Sequence, residues 1–385
     1  MTDDLDEDLN FTPFEAAPAR LTINLEALAE NWRMLQRASG KARTGAAVKG
    51  DGYGLCIEAV VPVLYDAGCR DLFVATPDEG MLARMNAPEA RIFVLAGVWP
   101  GVEQQFFDHD LVPVLVSEEQ IACWTNAIAF GDERPCALMV DTGMNRLGLS
   151  VDEAMALADD PTRPASFSPV LLMSHLAAAS DPTHALNRQQ LESFQRLAAA
   201  YEGIDSSLAN SPGIFLGSDY HFDVTRPGIA LYGGEAVDGA TNRSLPVVTA
   251  EARILQIRDA KAGSTVSYGA THRLTRDSRL AIVAVGYADG YHRALSGSGV
   301  PLRQAVGAGG YGFFDGYRLP VAGRITMDLT IFDVTDVPAA AIRPGDYIEL
   351  FGQNILLDDA ARAAGTIGYE LLTSLGNRYQ RLYLG

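Results

Sequence analysis

From Ala46 to about Gly233 the chain alternates short apolar runs with longer stretches that are apolar at helical spacing. The runs are AAV (46–48), LFVA (72–75), IFVLA (92–96), VPVLV (112–116), ALMV (137–140), VLLMSHL (170–176), SSLAN (206–210) and, less cleanly, VTRPGIALY (224–232). Between them lie segments such as CIEAVVPVLYDAG and LNRQQLESFQRLAAAYEG. Eight strand-then-helix units in succession predict a (β/α)8 barrel over residues 17–240. The seventh and eighth runs are weak, and a doubly wound open sheet is the alternative. After Gly234 the pattern changes to strand-like segments such as VVTAEARILQIRDAKAG, LAIVAVGYADG, PVAGRITMDLTIFDV and DYIELFG, separated by Gly, Pro and Asp turns. This predicts a mainly β domain over 241–385, with helical period returning only in ARAAGTIGYELLTSL. The early ARLTINLEAL reads as strand then helix. Its strand, 20–24, need not belong to the barrel and can pack on the C-terminal domain.

Composition bounds this picture. At 385 residues the chain is long enough for two domains, since single cores rarely grow past roughly 250–300 residues. The net charge of −18 and a pI near 4.7, without a long basic stripe, argue against a nucleic-acid partner. Five carboxylates and no base among the first ten residues predict a disordered acidic tail over 1–16. No apolar run reaches the roughly 18 residues of a membrane span, and the acidic start is unlike a secretory signal. Four cysteines (Cys56, Cys69, Cys123 and Cys136) form no C-x-x-C pair. They read as buried free thiols of a cytoplasmic protein. His109, His184, His221, His272 and His292 fit no metal spacing, so no metal is expected.

The candidate chemistry starts at Lys49. The chain has only three lysines, Lys41, Lys49 and Lys261, among 30 basic residues, so a lysine here calls for its own reason. Lys49 follows Ala46-Ala47-Val48 and precedes the Gly-rich GDGYG, which reads as the last residue of a buried strand opening into a loop. Desolvation there would depress its pKa toward the neutral amine that Schiff-base chemistry needs. Barrel catalytic groups gather at the C-terminal ends of strands. Lys49 ends the first run, Arg146 follows the fifth, and His175 ends the sixth. Asn210 and Ser211 end the seventh, while Arg226, Gly228 and Ile229 sit in the eighth. Barrels often bind phosphate after strands seven and eight. The Ser211 hydroxyl and the Gly228 and Ile229 amides suit that task. A lysine at strand one with a phosphate site at strands seven and eight implies pyridoxal phosphate.

With these residues in place, AAVKGDGYG, DTGMNRLGL, MSHLA, LANS, RPGIALYGG, VSYGAT, VGYADGY, GRITMD and TIGYELL resemble, in order, the motifs of the alanine racemase family of fold-type III enzymes. They span residues 46–372. The resemblance implies that Lys49 carries the cofactor and serves as base on one face of the substrate. It implies that Tyr53, Ser211, Gly228, Ile229 and Tyr369 hold the phosphate, with Asn210 beside them. Arg146 would contact the phenolic oxygen of the cofactor and the substrate, His175 would stack on the ring, and Arg226 would face the pyridine nitrogen. Tyr268, from the second subunit of a homodimer, would be the opposite base. The Met327 amide would bind the substrate carboxylate, with Asp328 nearby and Tyr287 at the entrance. The implied reaction interconverts L- and D-alanine and supplies D-alanine, a peptidoglycan precursor.

Two bases on opposite faces suffice to invert an α-carbon. Arg226 cannot give up its proton, so it would keep the pyridine nitrogen unprotonated and restrain side reactions. Three departures from the family pattern bear on the pocket. Met139 stands where relatives carry a lysine whose carbamate positions the arginine matched by Arg146. Ser180 replaces an acid, with Asp181 one step on, and Thr326 occupies a place often held by Cys. Chloride is therefore expected beside Arg146, with Asp141 or the Asn145 amide as alternatives. A broad-specificity or serine-preferring racemase is the nearest alternative function. A non-catalytic cofactor carrier should lack the β domain, and a fold-type III decarboxylase should place an acid where Arg226 stands.

Overall fold

The structure, a computed structural model, describes residues 12–129, 132–297 and 309–385. It divides into two compact units: Leu25–Leu245, and Pro246–Gly385 together with the chain up to Asn24.

In the first unit Arg43–Thr44 and Ala46–Ala47 make one strand interrupted at Gly45. Asp71–Val74, Arg91–Val94, Leu111–Leu115, Arg134–Asp141, Phe167–Met173 and Asp205–Ser207 follow, each parallel to the one before. Val224–Thr225 then pairs in parallel with Arg43–Thr44. On its other side the amides of Asp223 and Arg226 donate to the carbonyls of Ser206 and Ala209. The sheet therefore closes into an eight-stranded barrel, and the open-sheet alternative falls. Its strands are buried on both faces, which is why most read as unbroken apolar runs.

The seventh and eighth strands are shorter than their runs suggest. Ser206 and Ser207 are buried, and the Ser207 hydroxyl donates to the Val224 carbonyl at 2.5 Å, so polarity there is bonded rather than solvated. Pro227 has no N–H to continue the eighth strand, and Ile229–Tyr232 turns into a 3-10 helix. Helix Leu25–Ser39 buries Leu28, Trp32 and Leu35, three or four residues apart, on one face. At the N-terminal ends of the strands, Arg91 donates to Asp71 at 2.6 Å and to Asp205 at 3.1 Å, and Arg43 pairs with both acids. Ion pairs thus tie that end of the barrel and leave the opposite end to the loops.

In the second unit the long strand Val248–Ala260 organises an antiparallel sheet. It pairs with Ala19–Asn24, Tyr347–Phe351 and Ser278–Val283. Ala19–Asn24 also runs parallel to Gln380–Leu384 and alternates buried Ala19, Leu21 and Ile23 with half-exposed neighbours. The acidic tail expected over 1–16 needs correction at its end. Phe14–Ala16 is a 3-10 turn, with the Tyr347 hydroxyl donating to the Ala17 carbonyl at 2.7 Å and Arg20 over the Phe14 ring. Residues 1–11 lie outside the described residues. Among the described residues no helix is long and apolar enough to cross a membrane, and no His, Cys, Asp and Glu group could hold a metal. The four thiols are free, but Cys56 and Cys123 are only half-buried, unlike Cys69 and Cys136.

Candidate active site

Strand pairing ends at Ala47, so Lys49 stands just beyond the first strand and not at its last position. The residue is exposed by area, although protein surrounds much of its side chain. The next four residues, Gly50, Asp51, Gly52 and Tyr53, all adopt left-handed backbone, with φ from 54° to 65°. Glycine takes that conformation freely, whereas Asp51 and Tyr53 are strained in it. The turn is held from outside. One Glu79 oxygen accepts from the amides of Gly50 and Asp51 at 2.7 and 3.2 Å, and the other accepts from Ala75 at 2.7 Å. Desolvation still lowers the Lys49 pKa; the charges of Arg146 and Arg226 lower it further, against Glu79.

At the far end of this turn Tyr53 stacks on Tyr232 with ring centroids 4.4 Å apart. The Tyr53 hydroxyl lies 2.2 Å from where a side chain on Gly228 would begin, so only glycine fits at 228. Buried Ser211 accepts from the amides of Gly228 at 2.8 Å and Ala230 at 3.3 Å. Two hydroxyls and a run of amides with no side-chain bulk therefore meet after strands seven and eight, with Ile229 buried behind them. That donor set suits a phosphate.

Arg226 is the buried cation of the barrel. It is 6% exposed and donates to the Ser174 carbonyl at 2.5 Å and to the Ser207 hydroxyl. Among the described residues no carboxylate pairs with it, and burial pushes its pKa down to about 9. Asn210 bridges to Arg226 through the backbone, caps the Gly213 amide, and brings its side-chain nitrogen to 3.4 Å from His175 Nε2. Burial, then the charges of Arg226, Arg146 and Lys49, hold the His175 pKa at about 3. The imidazole is neutral at ordinary pH and adds no further charge.

The loop carrying Arg146 folds around Asp141. That carboxylate accepts from the amides of Gly143 and Met144 at 2.8 Å and from the Arg146 amide at 2.8 Å. It is thereby committed to backbone. Among the described residues the exposed Arg146 guanidinium has no ion pair, and buried Met139 can offer none. The alternative of Asp141 as counter-charge is not what this loop adopts.

The remaining candidates lie on the second unit. The Thr326 and Met327 carbonyls accept from the amides of Tyr287 and Ala288, both at 3.0 Å, which joins two of the motif segments. Arg378 locks them. It donates to buried Asp289 at 2.5 and 2.8 Å and to Asp328 at 2.7 Å, and Asp289 also accepts from the Gly286 amide. Tyr268 opens the 3-10 turn Tyr268–Ala270, with positive φ at Ser267 before it and at Ala270 at its end, and is 71% exposed. Beside it runs an open, mostly apolar groove of about 730 Å³ that includes Thr326, Leu329 and Ile331. Tyr369 is carried on helix Gly368–Thr373 of this unit, not on the barrel with the other phosphate candidates. The Thr326 hydroxyl closes its own turn by accepting from the Leu329 amide. Ser180, on the barrel, donates to Asp238 at 2.9 Å and accepts that residue's amide at its carbonyl. An acid, Asp238, thus stands beside Ser180.

Sequence reasoning missed Glu79 and Arg378. The Thr76-x-x-Glu79 spacing was a visible helix-start signature, but a capping box would send Glu79 to the Thr76 amide and not to Gly50 and Asp51. Arg378 lies 89 and 50 residues from its two acidic partners, beyond any local signal.

Residues 23–236 match the family described as alanine racemase, N-terminal domain, and residues 247–383 match the alanine racemase C-terminal domain. A biosynthetic alanine racemase of Agrobacterium fabrum is 63% identical over 387 residues, covering 100% of this chain and 99% of that one. A catabolic alanine racemase of the same organism is 40% identical, covering 96% and 92%. The crystal structure of alanine racemase from Bartonella henselae with covalently bound pyridoxal phosphate superimposes at a TM-score of 0.88 with 36% identity, across 96% of this chain and 100% of that one.

Proposed function

The chain belongs to the alanine racemase family, and we propose that it interconverts L- and D-alanine with Lys49 and Tyr268 as bases on opposite faces of the substrate. It is a pyridoxal-phosphate-dependent enzyme. When bound, the cofactor supplies the electron sink that acidifies the α-proton. Tyr53, Ser211, Gly228 and Ile229 would hold its phosphate, joined by Tyr369; Asn210 and His175 would flank the ring. Arg146 would face its phenolic oxygen. Arg226 would donate to the ring nitrogen and hold it without a proton of its own. The observation that supports this reading most is Arg226, buried on Ser174 and Ser207 with no carboxylate partner among the described residues.

Lys49 takes the α-proton from one enantiomer, and Tyr268 returns a proton from the other side. A lysine amine must be neutral to act, and its lowered pKa favours that form. Neutral His175 adds no cationic charge beside Lys49. The Met327 amide would orient the substrate carboxylate, with Asp328 and Tyr287 beside it.

The finer assignments follow the same line. Tyr268 would be contributed by the second subunit of a homodimer, which fits a phenol 71% exposed beside an apolar groove. Chloride would sit beside Arg146, because Asp141 is engaged by loop amides and Met139 carries no charge. A biosynthetic, cytoplasmic role supplying D-alanine fits the higher identity to the biosynthetic relative. Incubating the purified holoenzyme with each L-amino acid and measuring the D-enantiomer tests the reading. Alanine should be turned over fastest, and Tyr268→Phe should cut abstraction from L-alanine by about 10²–10⁴. A preference for serine, or an unaffected Tyr268→Phe, would contradict it.

A further inference from the structure

We propose that Glu79 is the positioning residue for Lys49: it fixes the left-handed turn behind the lysine and sets a negative charge near its amine. The proposal rests on the reading of Lys49 as a base. Glu79 belongs to helix Pro77–Asn86, where Thr76 caps the start by accepting the Glu79 amide. From there its carboxylate reaches out of the helix. One oxygen takes the Ala75 amide, at the end of the second strand, and the other takes the amides of Gly50 and Asp51. A single side chain thus pins the loops after strands one and two to each other.

Strain makes that pin consequential. Non-glycine residues are disfavoured in left-handed backbone and persist there only where the surroundings impose it. Asp51 and Tyr53 are both in that state, in a turn with Lys49 at one end and the Tyr53 hydroxyl at the other. The Asp51 carboxylate is occupied by the Ile57 amide at 2.8 Å, so it cannot supply the hold on Gly50. Freed from Glu79, the turn would relax and carry Lys49 with it.

Charge points the same way. The groups acting on Lys49 are Arg146 and Arg226, both cationic, and Glu79; His175 nearby is neutral. Among the described residues Glu79 is the one acid of that set. It counters two arginines that would otherwise drive the lysine further from its protonated form.

Glu79→Gln keeps the shape, removes the charge, and can no longer accept on both sides. In the holoenzyme kcat for D-alanine should fall about tenfold, less than the roughly 10²–10⁴ that a general base itself contributes, with KM changed less than threefold. The α-deuterium isotope effect on kcat should rise for D-alanine, whose proton Lys49 takes, and not for L-alanine. Independently of turnover, the visible absorption of the lysine-bound cofactor should titrate at lower pH in the variant, since removing a negative charge disfavours the protonated nitrogen. Equal isotope effects in the two directions, or an unmoved titration midpoint at unchanged thermal stability, would reduce Glu79 to a helix cap and overturn the proposal. If the parent enzyme shows no racemisation, the reading of Lys49 as base fails, while the titration midpoint still decides whether Glu79 acts on that nitrogen.

Discussion

The candidate residues of the barrel and those of the β unit are built on opposite plans. On the barrel the chemistry is cationic: Lys49, Arg146 and Arg226 stand on loops shaped by local bonds to Glu79, Asp141 and Ser211. The acids there, Glu79 and Asp141, accept from backbone amides, and among the described residues Arg146 and Arg226 have no carboxylate paired with them. On the β unit the order is reversed. Arg378 spends its charge on Asp289 and Asp328, and the groups presented outward, Tyr268, Tyr287 and Met327, are uncharged and 43–71% exposed. One region is fitted to receive an anionic cofactor. The other offers a phenol and a backbone amide on rigid turns, beside an apolar groove that a second surface could cover.

Arg378→Met attacks the comparison hardest, because it leaves Asp289, 1% exposed, without its cation. Breaking a buried pair costs about 3–5 kcal/mol, and since half of the Arg378 side chain is exposed the expected loss is nearer 2–3 kcal/mol. Chemical denaturation should show that loss, and KM for alanine should rise as the Met327 segment loosens. The visible absorption of bound cofactor should be unchanged before the transition. Loss of cofactor at native conditions would mean that the two plans are not separate.

A weaker effect sharpens the barrel side. The folded His175 pKa of about 3 lies below its ordinary 6.5, so the unfolded chain binds the extra proton between those values. Stability should therefore fall as pH drops from 6.5 toward 3, and His175→Gln should flatten that slope. Melting temperatures across the window check it; an unchanged slope in the variant would place the acid sensitivity elsewhere. The smallest effect concerns Met139. Activity should depend modestly on chloride and not on bicarbonate, and Met139→Lys should make it respond to carbon dioxide. Activity indifferent to chloride would leave Arg146 without the expected anion.

The barrel was legible because parallel strands buried on both faces leave apolar runs, and the C-terminal ends of those runs carry the charged candidates. The signal weakened where buried serines and Pro227 replace apolar residues, since hydrogen-bonded polarity inside a strand looks like a loop in sequence. GDGYG announced a turn after Lys49 but not its hand. Two glycines permit left-handed backbone; Asp51 and Tyr53 adopt it only because the fold holds them there. Glu79 and Arg378 were illegible as site residues for a related reason. Their partners are backbone amides and acids brought close by tertiary structure, and no local pattern distinguishes such residues from ordinary surface charges.

The proposed site is complete only if the cationic barrel of one subunit meets the Tyr268 of another. Mixing Lys49→Ala with Tyr268→Ala, each inactive, under conditions that exchange subunits tests it most directly. Heterodimers should regain one working site in two, so an equimolar mixture should recover about a quarter of the parent activity if subunits pair at random and each active site works independently. No recovery after demonstrated subunit exchange would contradict the shared site and place Tyr268 and Lys49 in the same subunit.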